Sequence, residues 1–125
     1  MASYFTHLEK AQFMSLTTYK KSGEGVATPV WFVDIAGKLY VITNHDAWKL
    51  KRLRNTGKAT VAPCTASGKV TGDSHEAKGY VVADEAEGKT AHEALTKKYG
   101  IQFRLFDLMG RIQNAKRSYL AITAP

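Results

Sequence analysis

The run VATPVWFVDI, residues 26–35, ends at Ala36 and Gly37, and KLYVIT, residues 38–43, resumes at once. Both runs are rich in β-branched and aromatic residues. A loop this short, containing glycine, joins antiparallel neighbours, because a parallel pair needs a crossover of a dozen or more residues. QFMSLTTY, residues 12–19, comes before them as another strand-like run, and KKSGEG supplies the bend between. The first three strands thus follow one another with no helix between. A doubly wound parallel sheet, which places a helix after nearly every strand, is excluded.

Beyond Thr43 the period changes. NHDAWKLKRLRNTG, residues 44–57, reads as a short basic helix, with Asn44 or Asp46 able to cap it, Leu50 and Leu53 facing inward and Gly57 as the left-handed stop. ATVAPCTA (59–66) is a buried strand interrupted by Pro63. HEAKGYVVADE (75–85) is another, with Gly79 marking a bulge or a close approach. EGKTAHEALTKKYG (87–100) places Ala91, Leu95 and Tyr99 on one helical stripe. RLFDLMGRIQ (104–113) is a second helical piece, and SYLAIT (118–123) is a closing strand. Five or six strands with small helices between them predict an antiparallel sheet curled into a barrel.

The totals fit this picture. A chain of 125 residues suits one domain over 1–125; 44% apolar and 23% charged residues are ordinary for a globular protein, and no run approaches the ~18 apolar residues of a membrane span. MASYFTHLEK lacks a basic region followed by an apolar one, so a cytoplasmic location is expected. The single cysteine, Cys64, excludes an internal disulfide and sits in an apolar run that reads as core. A net charge of +7 favours an anionic partner, whether nucleic acid, lipid or phosphorylated small molecule.

Several chemistries find no residues to run them. Neither a dinucleotide G-x-G-x-x-G nor a P-loop is present, and no G-x-S-x-G elbow presents a serine. His7, His45, His75 and His92 are scattered outside any H-E-x-x-H pattern, so no metal is expected. What remains is an anion site at the basic helix. Thr43 at a strand end offers a hydroxyl, Lys49 a charge, and the amides near Ala47 and Trp48 further donors for one phosphate. Pro29 fits beside it: in a barrel that is incompletely zipped, proline tolerates the place where a neighbouring strand has peeled away, and freed backbone groups there can face a flat heterocycle. Alternation puts Thr28, Val30 and Phe32 on one face and Pro29, Trp31 and Val33 on the other. A plain edge strand explains the same residues.

Taken in order, T-P-V-W-F-V, G-K-L-Y-V-I-T, K-L-K-R-L-R-N and V-A-P-C-T resemble the flavin/deazaflavin oxidoreductase branch of the pyridoxamine 5′-phosphate oxidase-like split β-barrels, from about Phe5 to Thr123. The resemblance implies a mainly β protein, a homodimer of six-stranded antiparallel split β-barrels with short helices, which binds its cofactor at the subunit interface. It assigns Thr28, Pro29, Val30 and Trp31 to the strand along the ring, Thr43 and Lys49 to the phosphate, Arg54 to a basic position of the branch, and Ala62, Pro63 and Cys64 to the adjacent strand. TNHDAWK keeps the ends of the oxidase segment T-N-Y-x-S-x-K, with Trp48 where that enzyme has a cation; the chain is also too short for its substrate-binding C-terminal region.

Within the branch, VAPCTASGKVTG and KKYG resemble members dependent on coenzyme F420, a deazaflavin with an acidic tail that Lys49, Lys51, Arg52, Arg54 and Lys58 would complement; FMN is the alternative. The expected activity is hydride transfer to an unsaturated or quinone-like small molecule, with Tyr19, Tyr40 and His45 as candidate proton donors and no assigned catalytic residue. Against this stands a cofactor carrier or nucleic-acid-binding barrel without turnover. Its groove would need more aromatics than accompany the cations here.

Overall fold

The structure is a computed structural model and describes residues 4–8, 10–44, 47–112 and 116–125; the expectations placed on His45, Asp46 and Gln113 lie outside the described residues. A 3-10 turn at Thr6–Leu8 precedes β1 (Phe13–Tyr19), β2 (Gly25–Val30), β3 (Phe32–Ile35) and β4 (Lys38–Asn44). Helix α1 (Trp48–Thr56), β5 (Lys58–Cys64), β6 (His75–Val81), α2 (Glu85–Tyr99), α3 (Ile101–Ile112) and β7 (Arg117–Thr123) follow.

The seven strands of the described residues form one antiparallel sheet in the order β2-β1-β5-β6-β7-β4-β3. The expected six-stranded barrel is corrected in count and closure. The run 26–35 divides at Trp31 into β2, paired with β1, and β3, paired with β4. These are the two edges of the sheet, and among the described residues no ladder joins them. Yet Val30 and Phe32 are separated by one residue, so the edges must meet at Trp31 and the sheet must curl. Side chains from every strand accordingly reach one core, including Met14, Leu16, Val30, Phe32, Val41, Val61, Ala77 and Leu120, together with Leu50 and Leu53 of α1. Burying a side chain of this size contributes about 1.5–3 kcal/mol.

Local chemistry explains the turns. The β3–β4 hairpin uses Ala36 and Gly37, both with positive φ (53° and 88°), and the Gly37 amide donates to Asp34 Oδ1 at 2.8 Å. Helix α1 stops at Gly57 (φ 68°), whose amide donates to the Leu53 carbonyl. Its N-cap position is Ala47, not Asn44, and no side chain among the described residues caps it. Helix α2 is capped by Asp84, which accepts from the Ala86 amide at 3.2 Å, and Ala91, Leu95 and Tyr99 form its buried stripe. Helix α3 begins three residues before the run predicted for it, directly after Gly100.

Helices α2 and α3 cover the outer face of β3, β4 and β7. Ile42, Leu95, Tyr99 and Phe103 form a second core there, with Trp31, Val33 and Phe106 packed on it. The alternation read from residues 28–33 therefore sends Val30 and Phe32 inside the curl and Trp31 and Val33 beneath the helices. Among the described residues no helix is long and apolar enough to cross a membrane.

Candidate functional site

Where the two edges meet, they leave a cleft of about 270 Å³ lined by Phe13, Pro29, Val30, Trp31, Ile42, Thr43, Asn44, Lys49, Ala66, Phe106 and Arg117. Pro29 lies on edge strand β2 opposite Ser15, with no strand on its other side, so its missing N–H interrupts no interior ladder. Behind it, the turn after β5 packs against the proline ring: a Cβ built on Gly68 would stand 3.6 Å from Pro29 Cδ, an ordinary contact. That turn is closed by the Gly68 amide on the Thr65 carbonyl at 2.9 Å, and it carries Ala66 to the cleft.

Trp31 is fixed from the far side. Its indole stacks on Tyr99 (centroids 4.9 Å apart, planes at 15°) and lies 5.2 Å from the Phe106 ring. The Tyr99 hydroxyl accepts from the Phe32 amide at 3.0 Å and reaches the carbonyls of Gln12 at 2.6 Å and Phe32 at 2.9 Å. Lys98 adds an ammonium donor to the Phe32 carbonyl at 2.7 Å. Although Lys98 as a residue is exposed, desolvation around its ammonium lowers its pKa to about 8. A tyrosine and a lysine from the end of α2 thus supply hydrogen bonds where β2 and β3 have no ladder.

The cleft lining also carries polar and cationic groups. Thr43 is buried at the end of β4. Lys49 is half-buried, and desolvation first, then the Arg52 charge, lowers its pKa. Arg117 pairs in register with Asn44, donates to its Oδ1 at 3.2 Å, and sits 4.0 Å above the Phe106 ring. Among the described lining residues there are two cations and no carboxylate.

Five of the ten expected site residues line this cleft: Pro29, Val30, Trp31, Thr43 and Lys49. The other five do not. Thr28 is half-buried on β2 opposite Leu16, and Arg54 is exposed near the end of α1. Ala62, Pro63 and Cys64 pair with Ser15, Met14 and Phe13 of β1, inside the sheet, and it is Ala66 beyond them that reaches the cleft. Burial raises the Cys64 pKa, as a core thiol requires. The Ala47 amide is engaged by the Asn44 carbonyl at 3.1 Å.

Of the candidate proton donors, Tyr19 bonds Thr60 Oγ1 at 2.6 Å and Tyr40 donates to Glu87 at 2.6 Å; neither lines the cleft. Phe13, Ile42, Asn44, Phe106 and Arg117 were not expected. Arg117 is 73 residues from Asn44 and meets it only through the β4–β7 register, which no local pattern reveals. No group of three His, Cys, Asp or Glu able to hold a metal occurs among the described residues.

The fold is an open-edged antiparallel sheet with a cationic cleft at its seam. The family profile described as Pyridoxamine 5'-phosphate oxidase matches residues 3–124, and the chain belongs to that family. Solved structures share the fold at low identity. The heme storage protein HutZ of Vibrio cholerae superposes with a TM-score of 0.69 at 12% identity, over 94% of this chain and 84% of that one. A conserved hypothetical protein of Mycobacterium tuberculosis gives 0.71 at 16%, over 99% and 81%. A Clostridium acetobutylicum protein related to general stress protein 26 of B. subtilis, of the pyridoxinephosphate oxidase family, gives 0.66 at 17%, over 94% and 78%. A search of curated proteins returns no significant match.

Proposed function

We propose that the protein is an oxidoreductase that seats a flavin-type cofactor in the seam cleft, with F420 as that cofactor and FMN as the alternative. The observation that carries this reading is Lys49: a half-buried ammonium in the lining of the cleft, with no carboxylate bonded to it among the described residues. A partly desolvated cation without a counter-charge is a site for an anion that arrives with the ligand. Thr43 and Arg117 add a hydroxyl and a second charge to the same lining.

The reduced cofactor, when bound, supplies the hydride, from C5 in F420 or N5 in FMN, to an unsaturated or quinone-like molecule. This chain's residues orient and desolvate. Pro29, Val30 and Trp31 present an edge of backbone and apolar surface to a ring, and Lys49 and Thr43 hold the phosphate. No side chain of the described lining is assigned to proton transfer.

A volume of about 270 Å³ lies just below the roughly 300–1,000 Å³ usual for small-molecule sites, so one copy grips only part of a tricyclic ring. Helix α3, whose Phe106 lines the cleft, leaves Ile101, Leu105, Leu108 and Met109 exposed on one face. An apolar helix face of this kind is what a second copy would cover, completing the site in a homodimer.

Two of the structural neighbours are described as heme proteins, HutZ and a heme binding protein of Mycobacterium smegmatis. The described cleft lining holds no His, Cys, Met or Tyr to ligate heme iron, which favours the flavin-type ring. Titration of the purified protein with F420, FMN and hemin, followed by fluorescence and absorbance, tests this. Micromolar binding of F420 or FMN is expected. Binding of hemin alone, or of none of the three, removes the proposal.

A further inference from the structure

Lys49 faces the cleft, but the residues around it on α1 face elsewhere. Trp48, Lys51, Arg52 and Asn55 fall at i, i+3, i+4 and i+7, one face of the helix, and across from them stand Lys20 and Lys21 of the β1–β2 turn. The groove between has a volume of about 450 Å³ and is lined by those six residues. It shares no lining residue with the seam cleft.

Two features of this groove are unusual together. Trp48 is 66% exposed, although a tryptophan is among the largest apolar surfaces a chain can hide. Around the indole stand four cations and, in the described lining, no carboxylate; Lys20 pairs with Glu24 at 3.4 Å. Lys51 Nζ lies 5.1 Å from the indole centroid, and Arg52 is steadied by Thr18 Oγ1 at 3.5 Å. Like charges gathered on one groove raise the local positive potential and draw anions to it.

We propose that this groove is a second ligand site, for a nucleotide-class ligand whose base stacks on Trp48 and whose phosphates lie on Lys20, Lys21, Lys51 and Arg52. A bare inorganic anion would leave the exposed indole without a use, and an uncharged aromatic would leave the four cations without one. A phosphorylated base uses both, as stacking rings within cationic grooves do for nucleotides in general. Asn55 adds an amide with donors and an acceptor for the sugar or the base edge. An anionic lipid surface is disfavoured because the groove offers it one aromatic ring and no aliphatic side chain to bury.

The test is calorimetric titration of the full chain at about 50 mM salt, where phosphate contacts are little screened. The ligands are ATP, tripolyphosphate, adenosine and a short oligothymidylate. ATP is expected to bind roughly tenfold or more tighter than either of its halves. Trp48→Ala should weaken ATP roughly fivefold or more and leave tripolyphosphate unchanged, while Lys51→Ala with Arg52→Ala weakens both. Lys49→Ala, across the helix, should leave ATP binding as it is, which separates this site from the cofactor cleft.

Oligothymidylate binding tighter than ATP and lost on the same substitutions would identify single-stranded nucleic acid as the source of the nucleotide; the converse would identify the free form. Tripolyphosphate binding as tightly as ATP, no effect of Trp48→Ala, or binding only to phosphatidylserine vesicles would each overturn the proposal.

Discussion

The Tyr99 hydroxyl lies 3.0 Å from the amide nitrogen of Phe32, 67 residues away, and accepts its hydrogen at the point where the sheet changes from one edge to the other. Tyr99→Phe keeps the ring that stacks on Trp31 and removes this bond, together with those to the carbonyls of Gln12 and Phe32. A buried amide without an acceptor costs about 1–3 kcal/mol. Thermal or urea unfolding should show that loss; a stability within a few tenths of the parent would mean that water replaces the hydroxyl.

Lys49→Ala should leave the fold intact, since the ammonium bonds nothing among the described residues and the core on that helix is Leu50 and Leu53. Cofactor affinity should fall by roughly 1.5–3 kcal/mol, the value of a charge-assisted hydrogen bond. A change under about twofold in the F420 or FMN dissociation constant would place the phosphate elsewhere.

Acid should loosen α2 through one carboxylate. Glu87 Oε2 accepts from Tyr40 at 2.6 Å and Tyr80 at 2.7 Å, with Lys38 at 3.6 Å, and these hydrogen bonds hold its pKa below the ordinary 4.5. The folded form therefore binds this proton less readily than the unfolded form. The stabilisation is complete above the unfolded value and is lost as pH falls through the folded one. Glu87→Gln should flatten the acid limb of a melting-temperature profile below about pH 4.5 while lowering stability at neutral pH. An unchanged acid limb would contradict it.

A second pH window lies higher. The His7 and His75 rings stack with centroids 3.6 Å apart, His7 Nδ1 is buried without a partner among the described residues, and desolvation first, with the His75 charge adding to it, lowers the His7 pKa from 6.5. Because the unfolded chain takes up this proton more readily, stability should fall as pH drops through 6.5 toward the folded value. His7→Phe should reduce the fall in melting temperature between about pH 7.5 and 5.5, and an identical fall would assign it to other groups.

Gly79→Ala probes the closeness of α1 to the sheet. An added Cβ would stand 2.7 Å from Ile122 Cδ1, 3.1 Å from the Ala121 carbonyl oxygen and 3.3 Å from Leu53 Cδ2. The isoleucine end can rotate, but the backbone oxygen must shift with its strand. A loss of about 1–3 kcal/mol in urea unfolding is expected, and a neutral effect would show that β6 and β7 move apart without penalty.

Much of this was legible in order along the chain. The runs around Leu16, Val41 and Val61 read as strands, Gly57 as the stop of α1, and Gly79 as a bulge or a close approach, of which the structure shows the close approach. The break at Trp31 was hidden because its neighbours continue the same alternation without interruption; only the pairing partners change, from β1 to β4. The cleft was half-legible for a related reason. Residues near Pro29 and Lys49 carry local signals, whereas Phe106 and Arg117 arrive by helix packing and by strand register across more than 60 residues. Ala62, Pro63 and Cys64 lie two to four residues before the lining residue Ala66 and are drawn by β1 into the sheet interior instead.

The contiguity of β2 and β3 through Trp31 also bears on self-association. An exposed sheet margin ordinarily invites another chain to add a strand along it. Here the two margins are successive parts of one polypeptide, clamped by an aromatic cluster at their junction. An incoming strand on either side would run into that junction after only a few residues, so the molecule carries an open sheet without offering a full-length template for fibril growth.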